Sequence, residues 1–176
     1  MKRSLLIFSV LVTLISSPFA RAESTQPLTD EYIRAIKVGC SDALQGLLQV
    51  QKTEAATRVN RGREYETLLR LIAAFNSRAV LNKLDVPALI STAARAQTKF
   101  TQFQSHYLDY ANKVDDTLNI NCKEAPVTFY DDLSSARDAR ARVATDVRDL
   151  DALFDEYQKN LDVLKTTLAK SEAGVQ

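Results

Sequence analysis

The chain has 176 residues, with 23 basic and 22 acidic side chains and a formal net charge of +1 at pH 7. It has only four glycines and four prolines, and 45% of its residues are hydrophobic. This composition is typical of one helical domain and argues against a sheet protein or a disordered chain. The near-zero charge gives no reason to expect nucleic acid or an acidic membrane surface as a partner.

The first 22 residues have the organisation of a signal peptide. Two basic residues precede the apolar residues 4–15, and small residues at positions 20 and 22 match the pattern that signal peptidase accepts. This apolar stretch of twelve residues is short for a bilayer span, which needs about 20. We predict cleavage after Ala22, which leaves 20 basic against 22 acidic side chains and no stable membrane span. The predicted destination is the periplasm, the cell surface or the medium, and an uncleaved N-terminal anchor is the alternative.

The next segment predicts one long helix after a polar tail at residues 23–28. Thr29 is a good N-cap, and acidic residues follow it in the first turn. A helical apolar stripe then weakens over residues 49–64 and returns at Tyr65. Gly62 is the only helix-weakening residue here, at about 1 kcal/mol relative to alanine. We predict a continuous helix over about 30–82, and two helices broken near Gly62 are the alternative.

A second helix is predicted over 87–118. Asp85-Val86-Pro87 indicates a turn with an N-cap, and the proline falls in the first helical turn, where its missing N–H costs nothing. One face of this helix carries aromatic side chains at helical spacing, which we interpret as core: Phe100, Phe103, Tyr107 and Tyr110. His106 flanks this face and has no evident partner in the sequence, so we expect a half-buried or exposed histidine.

The third helix is predicted over 127–170, after an extended connector. Thr128 and Asp131 resemble a capping box at its start, and residues 171–176 should fray. Steps of four and three residues give a seam: Phe129, Leu133, Ala136, Arg140, Val143, Val147, Leu150, Phe154, Tyr157, Leu161, Leu164 and Leu168. Only Arg140 interrupts this apolar seam. A period of about 3.5 residues with charged flanks indicates a helix that needs helical partners along its length.

These elements predict an all-α fold, an elongated, coiled-coil-like antiparallel three-helix bundle over residues 29–170. At about 1.5 Å per residue, the helix lengths close into a rod only if the first helix is unbroken. Cys40 and Cys122 are the only cysteines, and an even number in an exported protein indicates a disulfide. We predict that this bond lies near one end of the rod.

Arg140 occupies a core position in this register, opposite Glu54 on the first helix and Asp115 and Asp116 at the end of the second. A charged side chain at such a position must be paired or must extend to water. We interpret the four residues as a polar core layer, in which an ion pair fixes the register. The alternative is a polar pocket at the middle of the rod.

Two other groups are candidate partner-binding surfaces. Arg58, Arg61 and Arg63 form a small basic cluster, which is either a solvated face or a docking site for an anionic partner. The turn between the first two helices is unusually apolar. We expect it to pack on Leu161 and Leu164, or to bind a partner if it is exposed; its residues are Val80, Leu81, Leu84, Val86 and Leu89.

The segments Asn76–Asp85 and Ile120–Asp131 resemble an uncharacterised family of exported α-helical proteins from small-genome bacteria. The resemblance extends over about residues 40 to 160. It implies export and a helical fold. Because the family brings no established activity, it implies no site residues.

The sequence contains none of the motifs of nucleophilic hydrolases, P-loop or dinucleotide-binding proteins, or zinc proteases. We therefore predict a non-catalytic protein without a metal or cofactor, which binds an unidentified envelope or extracellular protein or is a structural part of the envelope, as a monomer or a homo-oligomer. The first alternative is an envelope chaperone that holds unfolded clients. The second is a helical bundle that binds a small ligand or cofactor.

Overall fold

A computed structural model describes residues 28–173, with side chains up to residue 170, as three helices and no strands. They are α1 (Asp30–Leu81), α2 (Pro87–Leu118) and α3 (Pro126–Ala173). Successive helices are antiparallel and pack against each other, so the predicted all-α three-helix bundle is confirmed. The predicted signal peptide and residues 23–27 of the predicted tail lie outside the described residues.

The first helix begins as predicted and is continuous. The Thr29 hydroxyl accepts a hydrogen bond from the Tyr32 N–H at 3.4 Å, and Asp30 and Glu31 lie in the first turn. The helix passes through Gly62 without a break. A single glycine costs about 1 kcal/mol in a helix, and tertiary contacts on both sides of this position outweigh that cost.

The predicted bounds of α2 are confirmed at Pro87 and Leu118, whereas the predicted start of α3 needs correction. The N-cap of α2 is Val86, without a side-chain hydrogen bond, and Pro87 is the first helical residue. The predicted capping box at Thr128 is wrong, because α3 begins at Pro126, where the fixed backbone angle of proline suits a first helical position. The Ala125 carbonyl accepts the Phe129 N–H at 3.0 Å. At the other end, α3 extends to Ala173, beyond the predicted boundary at 170.

The turn from α1 to α2 is closed by a pair of backbone hydrogen bonds that bracket a left-handed residue. The N–H of Leu84 donates to the Ala79 carbonyl at 3.0 Å, and the N–H of Lys83 donates to the Val80 carbonyl at 2.9 Å. This is the Schellman pattern, which places one residue in the left-handed region. That residue is Lys83, with a φ of 58°.

The central core lies mainly between α2 and α3. The aromatic stripe of α2 is buried in it, as predicted, and successive rings from Phe100 to Tyr110 lie 5.8 to 6.3 Å apart. Leu150 on α3 is fully buried against this stripe. From α1, only Leu47, Tyr65 and Leu69 enter this cluster as buried residues. The first helix therefore contributes little to the main core.

The predicted seam of α3 is buried or half-buried except at Arg140 and Leu168. Next to Arg140, it is Ala139 that is fully buried, and Asp146 is buried one residue before Val147. An α-helix has about 3.6 residues per turn, so a face drifts from a 3.5-residue repeat along a long straight helix. The position predicted for an arginine in the core is therefore taken by a neighbouring alanine.

Candidate functional site

The middle of α1 stands away from the core. No residue from 48 to 64 is buried, whereas Leu47 before this segment and Tyr65 after it are. This is the segment over which the apolar stripe weakens in the sequence. Because it has few apolar groups to bury, α1 is attached at its two ends and leaves an open groove on α3 along its middle.

This groove, about 720 Å³ in volume, is lined by α1 and α3, with α2 at its base. Phe103 of α2 and Val143 and Val147 of α3 contribute an apolar floor. The charged lining consists of five arginines and one glutamate: Arg58, Arg61, Arg137, Arg140, Arg148 and Glu54. We call this feature the arginine groove.

Arg140 and Glu54 meet across the groove. The Arg140 Nη2 and Nε atoms lie 2.7 and 3.1 Å from Glu54 Oε1. The hydrogen bond that Arg140 donates to Glu54 raises the pKa of Arg140 above its ordinary value. The Arg140 side chain is 61% exposed, so it extends to water rather than occupying the core. Its predicted partner is correct, and its predicted core position is wrong.

The rest of the predicted polar layer does not assemble around this pair. Asp115 accepts a hydrogen bond from the amide of Gln51, one helical turn before Glu54 on α1. Asp116 is exposed on α2. The end of α2 therefore contributes no carboxylate to the arginine groove.

The predicted basic cluster on α1 is divided. The Arg58 guanidinium lies 5.3 Å from the centre of the Tyr107 ring, and the Tyr107 hydroxyl donates to the Glu54 carbonyl at 2.6 Å. Arg61 donates to the Tyr65 hydroxyl at 3.3 Å, and this bond raises the pKa of Arg61. Arg63 is exposed and lies outside the groove lining. Two of the three arginines therefore belong to the site.

Burial favours the neutral form of the two tyrosines that contact Arg58 and Arg61. It raises the pKa of the Tyr107 hydroxyl to about 12, and the charge of the Glu54 carboxylate adds to this effect. Burial likewise raises the pKa of Tyr65. The Tyr65 hydroxyl lies 3.2 Å from Asp151 of α3 and donates to it. Both rings thus hold an α1 arginine in place as neutral groups.

Sequence reasoning missed Arg137 and Arg148, which line the α3 side of the groove. Their separation of eleven residues is close to three helical turns, so they share one face of α3, and Arg140 follows Arg137 by three residues. That spacing was available as a signal. It could not be distinguished from an ordinary solvated face until α1 was placed opposite.

The predicted disulfide joins Cys40 of α1 to Cys122 in the connector between α2 and α3, with a Cα–Cα distance of 5.7 Å. Both cysteines are buried together with Phe129 in a small apolar cluster. The bond therefore attaches α1 to the other helices at one end of the bundle, beyond the arginine groove.

The apolar turn at the opposite end is only partly packed. Leu84, Val86 and Leu89 belong to the apolar cluster that includes Leu161 and Leu164. Val80 and Leu81 do not, and they are 53% and 81% exposed. The predicted partner surface at the turn is thereby reduced to two side chains.

His106 has a partner that the sequence did not reveal. Its Nδ1 atom lies 2.6 Å from the Asp146 carboxylate, which is buried between α2 and α3. Lys99 Nζ lies 3.5 Å from the same carboxylate and 3.0 Å from Asp149, whose hydrogen bond raises the pKa of Lys99. The predicted half-buried histidine is confirmed, with a side chain that is 39% exposed, although the sequence did not identify its carboxylate partner. These contacts satisfy a buried charge in the core.

Comparisons with profiles of protein families, with curated protein sequences and with solved structures find no match to this chain. Over residues 28–173, none of the helices combines the length and the apolar character that crossing a bilayer requires.

Proposed function

We propose that this chain is an exported, non-catalytic binding protein and that the arginine groove binds an anionic partner. The predicted leader supports export, and so does the disulfide, because such bonds persist in oxidising compartments outside the cytosol. An envelope or extracellular protein is the partner class that this location favours.

The observation that carries the proposal is the concentration of arginine in one groove. Five guanidinium groups from two helices face one another there, with a single carboxylate among the lining residues. The chain as a whole is close to neutral, so this is a local feature and not a generally basic surface. Arginine favours carboxylate and phosphate because its planar guanidinium binds them through two parallel hydrogen bonds.

Most of these guanidinium groups are held by neutral partners. Arg58 contacts an aromatic ring, Arg61 donates to a hydroxyl group, and Arg148 donates to the Thr145 hydroxyl at 3.0 Å. Glu54 neutralises one charge, that of Arg140. The groove therefore keeps a net positive charge that can attract an anion.

NMR of the arginine Nε–Hε groups tests this proposal, with hexaglutamate as the probe and hexalysine as its control. We expect hexaglutamate to shift the groove signals and the effect to weaken with salt, because exposed charges are screened over about 10 Å at 0.1 M. The double variant Arg137→Glu/Arg148→Glu should lose the response. Arg63→Glu/Arg78→Glu makes the same change in charge outside the groove and should retain it. Equal loss in both variants, or no response in the parent, would contradict the proposal.

A small anionic ligand is the second candidate. A volume of about 720 Å³ lies within the range of small-molecule sites, about 300 to 1,000 Å³. Saturable binding of inorganic pyrophosphate that excludes hexaglutamate would favour this candidate over a protein partner. In both cases Arg140→Leu should abolish binding. It should change stability by less than about 1 kcal/mol, because exposed ion pairs contribute about 0–1 kcal/mol.

A further inference from the structure

The three helices are arranged like three members of a four-helix bundle. Helices α1 and α3 run in the same direction, since Glu54 meets Arg140 and, further along both helices, Asn76 accepts a hydrogen bond from Tyr157. Each packs mainly on α2, and they contact each other at few points. In an up-down-up-down four-helix bundle the first and third helices are diagonal, and the fourth fills the position between them.

The arginine groove lies at that position. We infer that it binds an acidic amphipathic helix of a partner protein, antiparallel to α1 and α3, which completes a four-helix arrangement. This inference rests on the proposed function and specifies the partner.

The groove has the length that a helix needs. A second, apolar groove adjoins it towards the disulfide, lined in part by Leu47, Val50 and Leu133, and the two share Arg137 and Arg140. At about 1.5 Å per residue, residues 43–61 of α1 extend about 27 Å and residues 133–148 of α3 about 22 Å. These walls accommodate roughly 15 residues of helix, or about four turns.

The distribution of charge and apolar surface gives the chemistry of the partner. The floor is apolar, with Phe103, Val143 and Val147 in the arginine groove and Leu133 in the adjoining one. Arginines stand on both walls, two on α1 and three on α3. A helix that places an apolar stripe on the floor presents its two flanks to these walls, and acidic residues on both flanks would pair with the arginines. An extended polyanion would leave the apolar floor uncovered.

Fluorescence anisotropy of a labelled 15-residue helical peptide, with leucines on one face and glutamates on both flanks, tests the inference. We expect Arg137→Glu/Arg148→Glu to weaken binding about tenfold or more, the factor that corresponds to about 1.4 kcal/mol. Arg63→Glu/Arg78→Glu should keep the affinity within about twofold, less than 0.5 kcal/mol on the same scale.

A second pair of variants tests whether the peptide enters the groove. Ala144 lines the arginine groove, and Ala152, also exposed on α3, lies outside it. Ala144→Phe should fill the groove and abolish peptide binding, whereas Ala152→Phe should not change it. Circular dichroism melting of all variants verifies that each is folded. Equal binding by both alanine variants would overturn the inference.

Two further measurements separate this inference from the proposed function. A peptide of the same composition, with its leucines distributed around the helix, should bind at least about tenfold more weakly. If it binds equally with the same dependence on arginine, the groove binds anions but not a helix, and only the inference fails. If neither peptide binds but hexaglutamate still shifts the groove signals, only the inference fails, and if none of the three binds, both fail. If sedimentation shows a dimer that Ala144→Phe dissociates, a second copy of the chain occupies the groove, and the inference is also wrong.

Discussion

The interface between α2 and α3 and the middle of α1 show what an apolar periodicity does for a helix. Along the interface, each turn or two supplies a buried side chain, such as Phe100, Val114 or Leu150. In α1, no residue from 48 to 64 is buried, yet the helix remains continuous. Backbone hydrogen bonds within a helix are local, so a helix attached at both ends continues through a segment with no core to pack on.

The two regions contribute differently to the stability of the bundle. The α2–α3 interface and the two attached ends of α1 supply the buried apolar area that stabilises the bundle. The middle of α1 is held to α2 by the hydroxyl of Tyr107 and to α3 by the guanidinium of Arg140, both of which contact Glu54. A segment with few buried contacts has low local stability, and here it forms one wall of the arginine groove.

The largest effect should come from the disulfide. Removing it in Cys40→Ala/Cys122→Ala should lower the free energy of unfolding by about 4 kcal/mol, because the bond closes a loop with a sequence separation of 82. In hydrogen exchange, the first turns of α1 should lose protection while the α2–α3 interface keeps it. Uniform loss of protection in all three helices would show that α1 is not attached independently.

Two leucine truncations compare the regions directly. Leu150→Ala, at a fully buried position of α3, should cost about 3 kcal/mol in urea unfolding, since it leaves a cavity in the main core. Leu48→Ala removes the same atoms from an α1 side chain that is 44% exposed, and it should cost less than about 1 kcal/mol. Similar costs at both positions would mean that the middle of α1 is packed as tightly as the core.

Tyr107→Phe should remove one of the hydrogen bonds that hold α1 to α2, and it should change how stability depends on alkaline pH. Loss of the hydrogen bond to Glu54 should cost about 1 kcal/mol at pH 7. Burial raises the pKa of Tyr107 from 10.0 to about 12, so this contribution to stability is fully present below pH 10 and is lost as the pH rises through 12. Urea unfolding at pH 7 and pH 11 should therefore show a smaller alkaline loss in the variant than in the parent. If the variant loses as much stability at alkaline pH as the parent, groups other than Tyr107 are responsible for the loss. Tyr32→Phe, at an exposed position, is the matched control at pH 7.

The smallest effect is expected at the turn between α1 and α2. Lys83 has a φ of 58°, a conformation that costs a residue with a Cβ about 1–2 kcal/mol, while glycine loses more entropy on folding. Lys83→Gly should therefore raise the free energy of unfolding by about 0.5–1 kcal/mol and leave peptide binding unchanged. Asn82→Gly, one residue earlier at a negative φ, should have the opposite sign. Stabilisation by both substitutions would argue against the left-handed turn.

The helices were the most predictable feature. Local caps and apolar spacing, which can be read from the sequence, predict the N-cap at Thr29, the continuity of α1 through Gly62 and the limits of α2. The start of α3 was misplaced because Thr128 offers a plausible cap. The helix instead begins two residues earlier, at Pro126, and the Phe129 N–H donates to the Ala125 carbonyl. Local signals that compete within three residues are resolved only by the path of the connector.

The groove was predictable only in part. Glu54 and Arg140 were paired correctly because the length of the helices determines which turns lie opposite each other. The contribution of Arg148 and the exclusion of Arg63 depend on the rotation of each helix about its axis, at about 100° per residue. An error of one residue in rotation moves a side chain from the groove to the solvent, and the sequence does not record rotation to that accuracy.

Apolar spacing, caps and the two cysteines are local properties, and they sufficed to give three helices, their order and the bond that joins them. Three features are decided only by the packing of α1 and α3 on the surface of α2. They are the separation of α1 from α3, the burial of Ala139 in place of Arg140, and the pairing of His106 with Asp146. Which face of each helix becomes buried depends on the packing of all three helices at once.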